Sequence, residues 1–359
     1  MRRAQTFTIL ALLLAGCAAQ PASTGAPTAS PSSPASTDAP AVTPEPTASA
    51  EPTEAFEGHP AAGLALVQFL DPDNPASQVF VVEDDGTLRQ VTGLEGGIGA
   101  TFPVWSPDRS QIAFGPPKVG FAGISGQVSV INADGSGERV LGEGELPRWS
   151  PDGSRLIVHE KDDVTADPWE IWIQDVASGD ITLEIGPGFR GQWIDDNTIG
   201  FQRAVPTDDG SYSDALYFQA LDGSEPVQLP AEPETEAVWS PDGSSVLLAS
   251  DGSISVAEAD GSNPRDFVGG FSPVWSPDGT RVLVAYDHNQ DAIPLLAVVD
   301  LEGNEIWSGA IGTGATWSPD GTRIAVDVSY PEPMVQVLDA TTGEVLWELP
   351  GASQPNWGS

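Results

Sequence analysis

The chain of 359 residues carries 52 Asp and Glu against 14 Lys and Arg, a formal net charge of −38. That balance excludes nucleic acid and anionic lipid surfaces as charge-driven partners, because both call for basic patches. With 39 Gly, 33 Pro and 11 Trp, the chain is interrupted too often for long helices and reads as short strands and turns.

Residues 1–16 open with Arg2 and Arg3 and continue through an apolar stretch, Phe7 to Ala15, too short for a permanent membrane span. This is the pattern of a secretory signal peptide. Leu14, Ala15, Gly16 and Cys17 resemble the lipobox of bacterial lipoproteins. The resemblance implies lipidation of Cys17 and an exported protein anchored on the extracytoplasmic side of the cell membrane. Cys17 is the single cysteine, so an internal disulfide is closed to it. The twin arginines leave the export route open.

Residues 17–60 follow as an Ala/Pro/Ser/Thr-rich run without Lys or Arg. Such a segment has too little apolar surface to offset its ordering entropy, so a disordered tether is expected. Its reach would be about 40 Å as a flexible coil and roughly 120 Å in polyproline form.

From residue 61 to 359 the chain repeats itself. "VWSPDR" stands at 104–109, "RWSPDG" at 148–153, "VWSPDG" at 238–243 and 274–279, and "TWSPDG" at 316–321. Trp105, Trp149, Trp193, Trp239, Trp275, Trp317 and Trp357 mark units 36 to 46 residues apart, the period of four-stranded blades. In each turn Pro presets φ, Asp favours the third position and Gly supplies positive φ. The Trp is expected to press each unit on its neighbour, worth at most about 4–6 kcal/mol if buried. Two turns depart. Arg109 replaces Gly in the first, and in "WIDDN" (193–197) Asn197 is expected to take the glycine's left-handed place.

These repeats resemble the WD40-like (PD40) repeats of TolB-type β-propellers, which usually have six blades. The resemblance implies an all-β fold of four-stranded blades. Seven Trp marks count seven blades here, and six if the decayed unit around Trp193 forms none. The chain begins with "LALVQF" (64–69), which lacks a preceding strand, and ends with "SQPNW". Pairing these ends would close the ring and remove two exposed sheet edges.

Each blade's first-to-second and third-to-fourth turns point to one face, and the longer second-to-third loops to the other. Long loops on a rigid scaffold are the default place for binding. They carry Asp71, Asp73, Asp162, Asp163, Asp167, Asp208, Asp209, Asp214, Asp287, His288 and Asp291. Asp71 and Asp73, in "DPDN", are the candidates for a calcium site, because hard cations want oxygen ligands; solvated acidic loops are the competing reading. The Gly-x-Ser-x-Gly nucleophile elbow does not occur. "DATTGEVLW" (339–347) resembles a quinoprotein docking motif and is read as a blade hairpin, with no cofactor expected.

The function expected is a lipid-anchored envelope β-propeller, monomeric, serving as a binding or scaffold module for an envelope protein, peptide or glycan. The alternative is a metal-assisted enzyme acting on glycan or peptide through the acidic loops.

Overall fold

The computed structural model describes residues 58–71, 74–94, 99–115, 126–160, 169–207, 211–232, 235–286, 294–312, 314–329 and 332–358. Among these residues there are strands and turns and no helix. The strands assemble into seven four-stranded antiparallel sheets, the blades of a β-propeller.

Blade one joins β1 (Ala65–Asp71), β2 (Asn74–Val82) and β3 (Leu88–Gln90). Blade two holds β4 (Thr101–Trp105), β5 (Gln111–Gly115), β6 (Gln127–Asn132) and β7 (Arg139–Glu143). Blade three holds β8 (Glu145–Trp149), β9 (Arg155–Glu160), β10 (Glu170–Asp175) and β11 (Ile181–Pro187). Blade four holds β12 (Phe189–Asp195), β13 (Thr198–Pro206), β14 (Tyr212–Ala220) and β15 (Val227–Gln228). Blade five runs through β16 (Glu236–Trp239), β17 (Ser245–Ser250), β18 (Ser253–Glu258) and β19 (Arg265–Gly269). Blade six runs through β20 (Phe271–Trp275), β21 (Arg281–Tyr286), β22 (Leu295–Asp300) and β23 (Glu305–Ile311). Blade seven runs through β24 (Gly314–Trp317), β25 (Arg323–Val328), β26 (Met334–Asp339) and β27 (Val345–Pro350). The last strand, β28 (Ala352–Asn356), pairs antiparallel with β1 and completes blade one. The ring therefore closes as the chain ends imply, with seven blades.

Second strands are buried on both faces: β5, β9, β17 and β21 each contain four consecutive buried residues. An alternating pattern would suit a sheet with one wet face; blades pressed from both sides need continuous apolar runs. Seven apolar clusters result, each shared by two successive blades. In one, Val128 and Val130 of blade two meet Trp149 and Leu156 of blade three. In another, Val335 and Val337 of blade seven meet Leu64, Leu66 and Trp357 of blade one, so the last interface is packed like the others.

Each WSPDG turn is a small hydrogen-bonded unit. Ser150 Oγ donates to Asp152 Oδ1 at 2.6 Å and accepts from the Arg155 N–H at 3.0 Å, while the Ser154 N–H donates to Asp152 at 2.9 Å. The same contacts recur from Ser240, Ser276 and Ser318. Gly153, Gly243, Gly279 and Gly321 have φ of 65° to 71°, and Arg109 has 58°, so its turn is left-handed without glycine.

The decayed turn does not keep this form. Asn197 has no positive φ. Its turn is one residue shorter, with Trp193 facing Ile199 where Trp149 faces Leu156, and Asp195 pairs Thr198 across it. A shorter hairpin removes the left-handed position, so Asn197 has no glycine to replace. Blade four still forms all four strands. Gly200 leaves room there, because a Cβ on it would collide with the ring of Trp239.

Candidate functional site

The first strand of each blade is innermost and has a neighbour on one side only. Its free edge carries polar backbone groups that need partners. Tryptophan supplies four. Trp149 Nε1 donates to the Val104 carbonyl at 2.9 Å and Trp193 Nε1 to Arg148 at 3.0 Å. Trp275 donates to Val238 at 3.0 Å and Trp317 to Val274 at 3.3 Å. In every case the acceptor is the residue just before the previous blade's Trp. Four of the marker tryptophans are thus donors that cap the neighbouring inner edge. Trp193 is the half-buried one of the seven.

Three joints use other partners. Trp239 turns to the Ala259 carbonyl at 3.0 Å, Trp357 reaches Ala62 at 3.0 Å, and buried Trp105 Nε1 has no acceptor. At two of these, polar side chains of the preceding inner strand replace the indole. Gln354 Oε1 accepts from the Phe102 N–H at 2.6 Å and Asn356 Oδ1 from Trp105 at 3.2 Å. Gln192 Nε2 donates to the Ala237 carbonyl at 2.5 Å. A further joint lies outside the set: Trp307 Nε1 donates to Ala340 at 3.0 Å, locking blade six onto the 339–343 turn of blade seven.

Five inner strands carry a left-handed residue three places before the Trp: Phe102, Leu146, Arg190, Ser272 and Gln354, with φ of 48° to 52°. Register shifts mark a bulge at each. Such backbone costs about 1–2 kcal/mol per non-glycine residue, and bulges re-aim side chains. Strands β16 and β24 lack the shift.

The inner strands of blades three to five carry the charged group of this rim. Arg190 Nη1 lies 3.8 Å from Glu236 Oε1 in the next blade. Arg148 keeps exposed surface while protein crowds its guanidinium. Burial lowers its pKa, Glu236 opposes that shift and Arg190 adds to it. Among the described residues its guanidinium has no hydrogen bond and no ion pair. Buried His159 on β9 accepts at Nε2 from the Gly191 N–H at 2.9 Å, and its Nδ1 has no partner. Burial, then the Arg148 charge, lower its pKa to about 4 against a backbone contact with Leu146. At the closing seam, half-buried Asp327 accepts from the Gln354 N–H at 2.8 Å, and its partial burial raises its pKa.

Most of the loop-face residues expected from sequence are not among the described residues. Asp73, Asp162, Asp163, Asp167, Asp208, Asp209, Asp287, His288 and Asp291 lie outside the described residues, as do Leu14, Ala15, Gly16 and Cys17. Asp71 ends β1 opposite Asn74, and half-buried Asp214 pairs with Ala204 in blade four. Among the described residues no group of three or more His, Cys, Asp or Glu could hold a metal ion. Arg148 and Arg190 escaped the sequence reading. Their signal is an arginine at repeat positions where the other units place no basic residue, in a chain with 14 Lys and Arg.

A cleft of about 540 Å³ separates blades five and six, lined by Val268, Phe271, Tyr286 and the glycines 252, 269 and 270. It sits beside the two-residue Asp251–Gly252 turn between β17 and β18.

No family model matches the chain, and no curated protein matches it. Solved structures do. A prolyl endopeptidase is 13% identical over 81% of this chain and 48% of its own, with a TM-score of 0.59. An oligogalacturonate lyase in complex with manganese is 15% identical over 79% and 83%, with a TM-score of 0.54. TolB from Acinetobacter baumannii is 18% identical over 67% and 62%, with a TM-score of 0.48. The chain thus spans under two thirds of that TolB chain and about half of the endopeptidase. With the endopeptidase and the lyase the likeness is one of fold alone.

Proposed function

We propose that this protein is an exported, lipid-anchored β-propeller acting as a binding or scaffold module on the extracytoplasmic side of the cell membrane. Its partner would be an envelope protein, peptide or glycan, met through the face that carries the second-to-third loops. One contrast carries the reading. The opposite face repeats one WSPDG turn, tied by the same Ser and Asp hydrogen bonds in five blades. The loop face varies in length and sequence from blade to blade. A rigid ring with one uniform and one variable face is suited to recognition by the variable one. The Cys17 signature and the 17–60 tether supply the anchor and the reach.

Crosslinking in native membranes tests this. Wild type should capture a defined partner, and replacing residues 207–211 or 287–294 by an Asp-Gly turn should abolish or shift the capture. Intact mass of the mature protein should show acylated Cys17. An unmodified Cys17, or capture indifferent to every loop, overturns the reading.

A further inference from the structure

Blade four breaks the proportions of the ring on the loop face. Its strands β13 and β14 run for 9 residues each, where β5, β9, β17, β21 and β25 have 5 or 6. The added length is a hairpin in which residues 203–206 pair with residues 212–215. No fourth strand follows it outward. β15 pairs only with Tyr217 and Phe218, and the Leu229 N–H then donates to the Leu216 carbonyl at 2.8 Å. In blades two, three, five, six and seven the fourth strand pairs with the third from its first residue. Among the described residues, the place beside Tyr212 to Asp214 holds no strand.

The hydrogen bonds at both ends of this stretch fix which way its backbone points. The Thr207 N–H donates inward to the Ser211 carbonyl at 2.9 Å, and Leu216 accepts on the outer side. The register between them is unbroken. Alternation therefore turns Ser213 and Ala215 toward β13, and the N–H and C=O of Tyr212 and Asp214 outward. Such an edge is a template for another strand, and a two-stranded ribbon is marginal by itself. The other edge of the hairpin is blunted by Pro206, which has no N–H to offer. Leu216 packs into the core shared by blades four and five, and Tyr212 and Asp214 stand on its side of the ribbon. On that side blade five turns back at Asp251–Gly252. Tyr212 is 72% exposed, more than any other large apolar side chain among the described residues.

We propose that the outer edge of β14, from Tyr212 to Asp214, binds an extended basic segment of a partner protein as an added strand. Backbone pairing with Tyr212 and Asp214 supplies affinity, and alternate side chains of the segment supply selection. A Lys or Arg opposite Asp214 meets a carboxylate and lays its stem and charge against the Tyr212 ring. The net charge of −38 favours the approach of a basic segment over an acidic one. The site rests on the reading of the loop face as the binding face and names the partner chemistry for one blade of it.

Residue-resolved amide hydrogen exchange on the full chain tests it. In the free protein the Tyr212 and Asp214 amides should exchange about tenfold or more faster than those of Ser213 and Ala215. The probe is acetyl-Val-Lys-Val-Lys-Val-amide at millimolar concentration and low ionic strength. It should slow exchange at Tyr212 and Asp214 about tenfold or more. The same peptide N-methylated along its backbone should give no protection, and its Glu-for-Lys counterpart much less. Asp214→Asn should weaken the effect of the basic peptide while leaving the exchange pattern of the free chain unchanged. Outward amides already slow in the free protein overturn the proposal, because the edge is then occupied. So does an absence of protection by the basic peptide, or equal protection by the N-methylated or acidic one. Membrane crosslinking that depends on residues 287–294, with these amides unprotected by the peptide, overturns the edge site and leaves the loop-face reading standing.

Discussion

Arg109 Nη1 donates to the Trp357 carbonyl at 2.7 Å, joining the first WSPD turn to the last residue of the closing seam. Its Nη2 donates to the Gly63 carbonyl at 2.6 Å, and the guanidinium lies 5.0 Å above the Trp105 ring. The missing glycine of the first turn is thus a clamp on both ends of the chain. Arg109→Gly would restore the repeat consensus and relieve a φ of 58°, a gain of about 1 kcal/mol. It would remove two charged hydrogen bonds worth about 1.5–3 kcal/mol each. The expected net result is destabilisation by about 2–5 kcal/mol in a denaturant melt. An Arg109→Gly protein more stable than wild type would show that the clamp contributes nothing.

Deleting residues 352–359 removes β28, which supplies the inner strand of blade one and the fully buried Trp357. The loss should exceed about 4 kcal/mol, since large aromatic truncations alone cost 3–5, and the exposed edge of β1 should promote association. Sedimentation and urea unfolding of the truncated chain decide it. A monomer with an unchanged midpoint would contradict closure by this strand.

The seven tryptophans are not equivalent. Trp239 is buried, packs over Gly200 and donates to Ala259, so Trp239→Ala should cost about 3–5 kcal/mol. Half-buried Trp193, covered by Arg155 at 5.2 Å, should cost about 1–2 kcal/mol less. Equal losses for the two variants would place Trp193 in a core the structure does not give it.

His159 sets a pH dependence. Its folded pKa of about 4 lies below the ordinary 6.5, so between those values the unfolded chain binds the extra proton. Stability from this group is complete above pH 6.5 and is lost as pH falls toward 4, by about 3 kcal/mol in all. Melting midpoints of wild type and His159→Gln across this window should differ in slope, the variant being flatter. Parallel curves would mean that the imidazole takes up its proton in the folded ring without penalty.

The turn aspartates act lower on the scale. Hydroxyl and backbone donors, led by Ser106 and Ser240, hold Asp108 and Asp242 below 3.8. Their contribution is present above that pH and disappears as pH falls through the depressed folded values. Asp242→Asn should therefore lessen acid sensitivity below pH 4 while leaving the 4 to 6.5 slope intact. Loss of the upper slope in that variant would tie it to the turns and not to His159.

The repeat letters were sufficient to reveal the blades, because Trp, Pro, Asp and Gly act locally and recur at a fixed period. Even the closing strand could be read, since "QPNW" aligns with "FPVW" and "LPRW" before earlier turns. The decayed unit misled at one residue. Asn197 sits at the place of a glycine by alignment, but a turn one residue shorter has no left-handed position to fill.

The sequence by itself determined that this chain is an all-β ring of repeated blades, because periodic apolar runs and turn chemistry depend on neighbours along the chain. Only the tertiary structure decided which tryptophans cap which inner edges, why Arg109 stands for glycine, and that Arg148, Arg190 and Glu236 share one rim. Those relationships join residues some 40 to 250 positions apart, through ring closure and bulges that aim side chains across blades. Local sequence carries no record of such distances until the ring brings the strands together.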